Sequence, residues 1–343
     1  MREASRFQGA NGGVHTLGTT SVVPSLAPPS AIGQSLELSI VVTAFAGAGE
    51  LDRMLLVLDE VDAAGVEVIV ACDVRVGDPG TLRARHPRVE FLHHPVPRTP
   101  AQLRAAGVGR ARGRVVAITE DHCVPTPDWC DAIIAEHAGS AAAIGGAMDK
   151  GHPATGADAA LDWALYLADF SRYMRPFAAA EASSASDCNV SYKRVALDAV
   201  SASWQGEFHE NVVHAALRAL GYTLARSPRI VVHEHRSLTW RAALQDRYRF
   251  GRLFGATRLG RAPAARRWML AAGALLLPPL LYLRVARTVL TRRRYRLAFV
   301  RATPSLAVLL ATWATGELLG YLTGTTDPSL AATAPPAPVR EPA

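Results

Sequence analysis

Val115-Val116-Ala117-Ile118-Thr119-Glu120-Asp121-His122-Cys123-Val124-Pro125 reads as an apolar strand running directly into two carboxylates and an imidazole. In an open α/β sheet, ligands bind beyond the carboxyl ends of the strands. Two acids and a histidine in succession suit a divalent cation holding a diphosphate. The segments upstream predict a sheet of this kind. Residues 38–42 form a buried apolar strand, and a helix over 50–64 sets Leu51, Met54, Leu55 and Leu58 on one face. Residues 67–73 give a second strand ending in Asp73, 89–92 a short third, and 101–111 a helix leading to the fourth strand, 114–118. Strands and helices alternating at this spacing predict a mostly parallel sheet flanked by helices.

Further on the pattern is less regular. A helix over 128–138 and a strand over 141–148 are followed by a helix over 160–172 with an aromatic edge of Trp163, Tyr166, Phe170 and Tyr173. Residues 187–192 are polar and are expected to line a cleft. A helix over 207–220 stops at Gly221, a residue suited to a left-handed cap. A strand over 230–235 ends in a second cluster, His233, Glu234 and His235, and a basic helix covers 238–254.

The chain has 343 residues and a formal charge of +7. Between Arg241 and Arg301 stand fifteen Arg, no Lys and one acid, Asp246, so this stretch carries +14 and the remainder −7. An acidic body with a basic, apolar end points to anionic lipid rather than nucleic acid. The four cysteines (Cys72, Cys123, Cys130 and Cys188) lack paired CxxC spacing, and a reducing compartment is the expectation. Residues 1–35, rich in Gly, Ser, Thr, Pro and Ala, read as a flexible leader, and 326–343 as a disordered tail.

Two apolar stretches lie near the end. Residues 268–283 are uncharged but short of the roughly 20 needed to span a bilayer, whereas 302–324 are long enough and contain Glu317. Arginines crowd the link between them. If both stretches spanned the membrane with the body in the cytoplasm, that link would lie outside, against the positive-inside rule. A membrane-associated hairpin over 261–325, lying in the interface at the cytoplasmic face of the cell membrane, fits the charges better. A buried helical pair of a soluble protein is the alternative.

Several side chains could carry chemistry. Asp73 could accept a hydrogen bond from a base or ribose, Arg104 could approach a phosphate, and Glu120, Asp121 and His122 close the fourth strand. Singly, a strand-terminal Asp is more often a turn residue. The stretch Gly107–Gly113 contains a GxG, but it ends a helix before a strand and so is not a dinucleotide loop. His209 and His214 stand five apart on a helix and point in different directions, so they cannot share a metal.

In order and spacing, the chain resembles family-2 glycosyltransferases of the GT-A fold. The resemblance rests on Ser39-Ile40-Val41-Val42-Thr43-Ala44-Phe45, on 67–73, on Arg104 through Gly113, and on Glu120-Asp121-His122 with Pro125 and Trp129. It continues in Asn189-Val190-Ser191-Tyr192-Lys193-Arg194, in Glu210-Asn211 ahead of Gly221-Tyr222, and in the ending Glu317-Leu318-Leu319-Gly320-Tyr321. It covers roughly 36–255, within a GT-A domain drawn over 36–260.

The resemblance implies that Asp73, Arg104, Glu120, Asp121 and Asn189 contact a nucleotide-diphospho-sugar donor. It implies that Glu120 and His122 stand where the first and last Asp of a DxD motif bind Mn²⁺ or Mg²⁺; His233 or His235 could supply a further ligand or a diphosphate contact, the alternative being a structural imidazole. Histidine is a softer ligand than Asp and favours Mn²⁺ over Mg²⁺. The family's catalytic Asp is replaced by Asn211, which cannot accept a proton, so Glu210 is the expected base. The reading against it is that Glu210 merely pairs with His214 one helical turn away. The expected function is metal-dependent, inverting sugar transfer to a hydroxyl acceptor, such as a lipid-linked or cell-envelope glycan. The alternative is a catalytically silent nucleotide-sugar-binding or scaffold protein at the membrane.

Overall fold

A computed structural model describes residues 36–61, 65–151, 159–259 and 263–325; the leader and tail inferred from composition lie outside these. The strands are β1 (Leu38–Ala44), β2 (Val66–Asp73), β3 (Val89–His94), β4 (Val115–Glu120), β5 (Cys123–Pro125), β6 (Ala143–Lys150), β7 (Ala180–Glu181), β8 (Asn189–Lys193) and β9 (Leu224–Glu234). The helices are α1 (Ala48–Asp59), α2 (Gly80–Arg85), α3 (Pro100–Arg110), α4 (Trp129–Glu136), α5 (Ala159–Phe170), α6 (Arg194–Ala199), α7 (Glu210–Ala219), α8 (Trp240–Leu259), α9 (Ala264–Ala274), α10 (Leu277–Arg292) and α11 (Arg296–Thr323).

The strands form one sheet in the order β3-β2-β1-β4-β8-β6-β9-β5, with β7 on β9. The first four are parallel; β8 runs antiparallel to β4 and β6, and β5 antiparallel to β9. Because β1 lies between β2 and β4, the winding reverses there and a crevice opens at the carboxyl ends of β1 and β4. Both faces of β1 are buried. Leu38, Ile40 and Val42 join Leu51, Met54, Leu55 and Leu58 of α1, while Val41 packs with Ala105 and Val108 of α3 on the other face. A parallel strand covered on both sides reads as a continuous apolar run, which is why this one was legible.

Boundaries differ from expectation where local chemistry intervenes. The helix predicted over 207–220 begins only at Glu210, after His209 in extended conformation. The apolar stretch 268–283 is divided between α9 and α10, which bend by 53°. Pro278 and Pro279 explain this: proline suits a first helical turn but cannot continue a helix from upstream.

The helix α11 lies along the body, packed on α5 and α8. The α8–α11 crossing is backbone against backbone. A Cβ added at Gly251 or Gly255 would collide with the main chain of Trp313 or Glu317, and one at Gly316 or Gly320 with that of Tyr248 or Arg252. Glycines four apart on both helices are what permit so close an approach. Both ends of α11 are also tied to neighbouring elements. Before it, Arg294 bonds Asp149 of β6 at 2.9 Å and Arg292 reaches the carbonyls of Arg172 and Met174. At its far end, Tyr321 receives Arg258 on its hydroxyl at 3.3 Å and Arg267 on its carbonyl at 3.2 Å.

Candidate active site

The crevice is built from the segments that leave β1 and β4. Paired register sets Thr43 opposite Glu120. The chain then turns, so the Asp121 carboxylate caps the exit of β1 by accepting the amides of Phe45 at 2.8 Å and Ala46 at 2.7 Å through Oδ2. Its other oxygen, Oδ1, is buried without a hydrogen-bond partner and lies 3.7 Å from Nδ1 of His122. The Nε2 of His122 stands 3.6 Å from Oε2 of Glu120.

Arg104 enters from α3. That helix is started by a capping box: Thr99 accepts the Gln102 amide at 3.1 Å and Gln102 accepts that of Thr99 at 3.2 Å, with Pro100 following. One turn on, the buried Arg104 guanidinium bonds Glu120 Oε1 at 3.1 Å, the carbonyl of Phe208 at 3.3 Å, and the carboxylate of Asp187. Burial works against its charge, but Asp187 and Glu120 outweigh burial and raise its pKa. Asp187 arrives because β8 pairs antiparallel with β4, placing Asn189 opposite Thr119 and the residues before it beside Glu120.

Glu210, at the start of α7, lies within electrostatic reach of Asp187 and Arg104. Burial first, and the Asp187 carboxylate second, push its pKa above the ordinary value, with Arg104 opposing. Asn211 donates to its Oε1 at 3.1 Å. The alternative pairing with His214 is not formed: the His214 Nε2 is bonded to the Tyr192 hydroxyl at 2.8 Å on the buried side of the helix.

Two cysteines join the site that their spacing in sequence had left unassigned. His122, Cys123 and Cys188 bring ligand atoms within 4.8 Å of one another, as do Glu120, Asp187 and Cys188. Among the described residues, His233 and His235 belong to neither group, although the His235 amide bonds the His122 carbonyl at 2.8 Å. Burial opposes charge on His122, yet Cys123, Asp121 and Glu120 raise its pKa well above the usual value. The surroundings therefore favour positive charge at this point. That preference and the 3.6 Å between His122 Nε2 and Glu120 Oε2 fit a divalent cation held by Glu120 and His122, whose ring turns its other nitrogen to Asp121. The imidazole and nearby thiols make the donor set softer than one of oxygens alone.

The remaining expected contacts are occupied by protein. Asp73 accepts the Arg75 amide, Nε and Nη2 at 3.0, 2.9 and 2.7 Å and the Arg98 amide at 2.8 Å. Burial raises its carboxyl, but these bonds prevail and lower it. A base or ribose can reach Asp73 only if Arg75, whose guanidinium lies over the Phe45 ring, gives way. Asn189 is a tie within the fold: it accepts Trp129 Nε1 at 3.0 Å and donates to the carbonyls of Ala147 and Ile230 at 2.8 and 3.1 Å. Both its N–H groups are thereby used, leaving no side-chain donor for a ligand.

The profile of the family described as glycosyl transferase family 2 matches residues 39–200. This segment is a family-2 glycosyltransferase domain. It has the GT-A-type fold that the sequence resemblance implied: a mostly parallel sheet flanked by helices. No curated protein sequence matches the chain. Among solved structures, a mannosyltransferase from Pyrobaculum calidifontis in complex with GDP-Man and Mn²⁺ is 18% identical, with 82% of this chain and 87% of that one covered at a TM-score of 0.49. GalNAc-T7 with UDP, GalNAc and Mn²⁺ is 14% identical, covering 60% of this chain and 45% of that one at a TM-score of 0.45.

Proposed function

We propose that the transferase moves a sugar from a nucleotide-diphospho-sugar donor to a hydroxyl acceptor in one inverting displacement. The observation that carries this reading is Glu210, a carboxyl pushed up by burial and Asp187, two residues beyond Phe208, whose carbonyl Arg104 bonds at 3.3 Å. A base with a raised pKa removes the acceptor proton more effectively. Asn211 cannot do this, and its amide steadies Oε1 of Glu210. Glu120 and His122 would hold the cation; when bound, it would offset the charge that develops on the departing diphosphate. Arg104 keeps Glu120 and Asp187 fixed in position.

The arrangement of α9, α10 and α11 supports an interfacial position at an anionic membrane surface, with the body on the cytoplasmic side. Trp268, Met269, Leu276, Leu280 and Leu283 are exposed, and arginines flank them. Since α11 is fastened near both ends, it lies along the body rather than projecting from it. This favours a lipid-linked acceptor.

The test is Glu210→Gln with purified protein, Mn²⁺ and a panel of nucleotide sugars. Donor binding should be retained, while donor hydrolysis and transfer fall by about 10²–10⁴-fold, the range typical of a lost general base. Unchanged turnover would remove Glu210 from the mechanism.

A further inference from the structure

A cavity of about 350 Å³ lies between α5, α8, α10 and α11, outside the donor cluster. Its volume falls within the range of roughly 300–1,000 Å³ typical of small-molecule sites. Four arginines line it, Arg172, Arg247, Arg258 and Arg284, together with two acids, Asp169 and Glu317. Both acids are already committed. Asp169 is held by Arg247 through both oxygens and approached by Arg236, while Glu317 accepts Trp313 Nε1 at 2.9 Å and the Tyr321 hydroxyl at 2.6 Å. Arg172, Arg258 and Arg284 make no ion pair among the described residues. They remain exposed beside an apolar wall of Phe254, Leu281, Val285 and Leu310.

Guanidinium groups prefer phosphate oxygens, which match their paired donors. The wall suits hydrocarbon. On α10, Leu281 faces the cavity while Leu276, Leu280 and Leu283 are exposed alongside it. An occupant must therefore combine an anionic head with an apolar chain.

We propose that this cavity binds the phosphate ester of a long-chain lipid, with Arg172, Arg258 and Arg284 on the phosphate and the chain along α10, and that this lipid carries the acceptor. The last clause rests on the transferase reading above; the binding site does not.

The experiment measures binding to neutral phosphatidylcholine vesicles that contain either a long-chain alkyl monophosphate or, at matched surface charge, a long-chain fatty carboxylate. General attraction of a basic surface is equal for the two, so the ratio of affinities reports recognition of phosphate. The full-length protein should prefer phosphate by about tenfold. Arg258→Gln with Arg284→Gln should bring the ratio close to one. Arg266→Gln with Arg287→Gln, which removes the same charge from exposed positions off the cavity, should weaken both affinities and keep the ratio. Thermal melts establish that each pair of substitutions leaves the fold intact. No phosphate preference in the parent, or a preference that survives in the Arg258/Arg284 variant, overturns the proposal. Inorganic phosphate that competes as strongly as the lipid phosphate overturns the lipid assignment. Donor hydrolysis without acceptor is measured separately: its absence alongside cavity-dependent binding leaves the site standing and removes the transferase reading, whereas hydrolysis without cavity-dependent binding does the reverse.

Discussion

Asp187 forms an ion pair with the same Nη2 of Arg104 that bonds Glu120, so one buried guanidinium nitrogen joins the end of β4 to the segment ahead of β8. Removing the cation leaves two carboxylates facing each other in a desolvated place. Arg104→Ala should therefore destabilise the protein by about 3–5 kcal/mol, as breaking a buried pair from one side does. Arg104→Lys should recover part of this, since it restores the charge but not the planar fork. Urea unfolding of the three proteins checks the order.

Glu210 gives a prediction in pH. Burial and Asp187 raise its carboxyl, so the acid limb of the rate profile should lie above the ordinary Glu value of about 4.3. Asp187→Asn removes a raising influence and should move that limb toward lower pH. A limb that stays in place would separate Asp187 from the group that titrates.

Metal preference should follow the ligand at position 122. The parent is expected to work better with Mn²⁺ than with Mg²⁺, because an imidazole is a poor partner for the harder ion. His122→Asp should shift the ratio of Mg²⁺- to Mn²⁺-supported donor hydrolysis upward, by about tenfold if first-sphere softness governs the choice.

The helix crossing can be probed at its glycines. Gly255→Val places side-chain atoms against the backbone of Glu317 and should cost about 1–3 kcal/mol or more, as overpacking does. Gly273→Ala, with nothing within 4 Å of the new Cβ, should be neutral or stabilising by up to about 1 kcal/mol. Thermal midpoints of the two variants should move in opposite directions or differ plainly in size.

Two buried histidines make stability depend on pH. Burial lowers the pKa of His137 and of His214 to about 4 in the folded protein. Unfolded, they titrate near 6.5, so between those values the unfolded chain binds more protons and stability falls as pH drops. His214→Gln can still bond Tyr192 without titrating, and its melting temperature should decline less from pH 6.5 to 4.5 than that of the parent.

The sheet was legible from the sequence because β1, β4 and most of β2 are buried and so read as largely apolar runs. The acids and imidazole at the end of β4 were legible for the same reason: polarity changes abruptly there. The partners of Asp187 and Cys188 were not: residues 187–192 read as a cleft lining, but their place beside Glu120 depends on β8 running antiparallel to β4, a pairing between distant segments that local periodicity does not encode. Asn189 was singled out by the resemblance as a donor contact; in the fold its amide is bonded to Trp129, Ala147 and Ile230. The break between α9 and α10 was present in the sequence as Pro278-Pro279, but the apolar composition across it concealed the interruption.

The salt bridge from Arg294 to Asp149, together with the lengthwise seat of α11 on α5 and α8, has a consequence for biosynthesis. Asp149 and the apolar sides of α5 and α8 are made well before the segments that complete them. Translation proceeds at roughly 5–20 residues per second, so several seconds separate the end of α8 from the end of α11. Throughout that interval the flank that α11 covers lies open on the nascent body, within reach of a chaperone before α11 arrives.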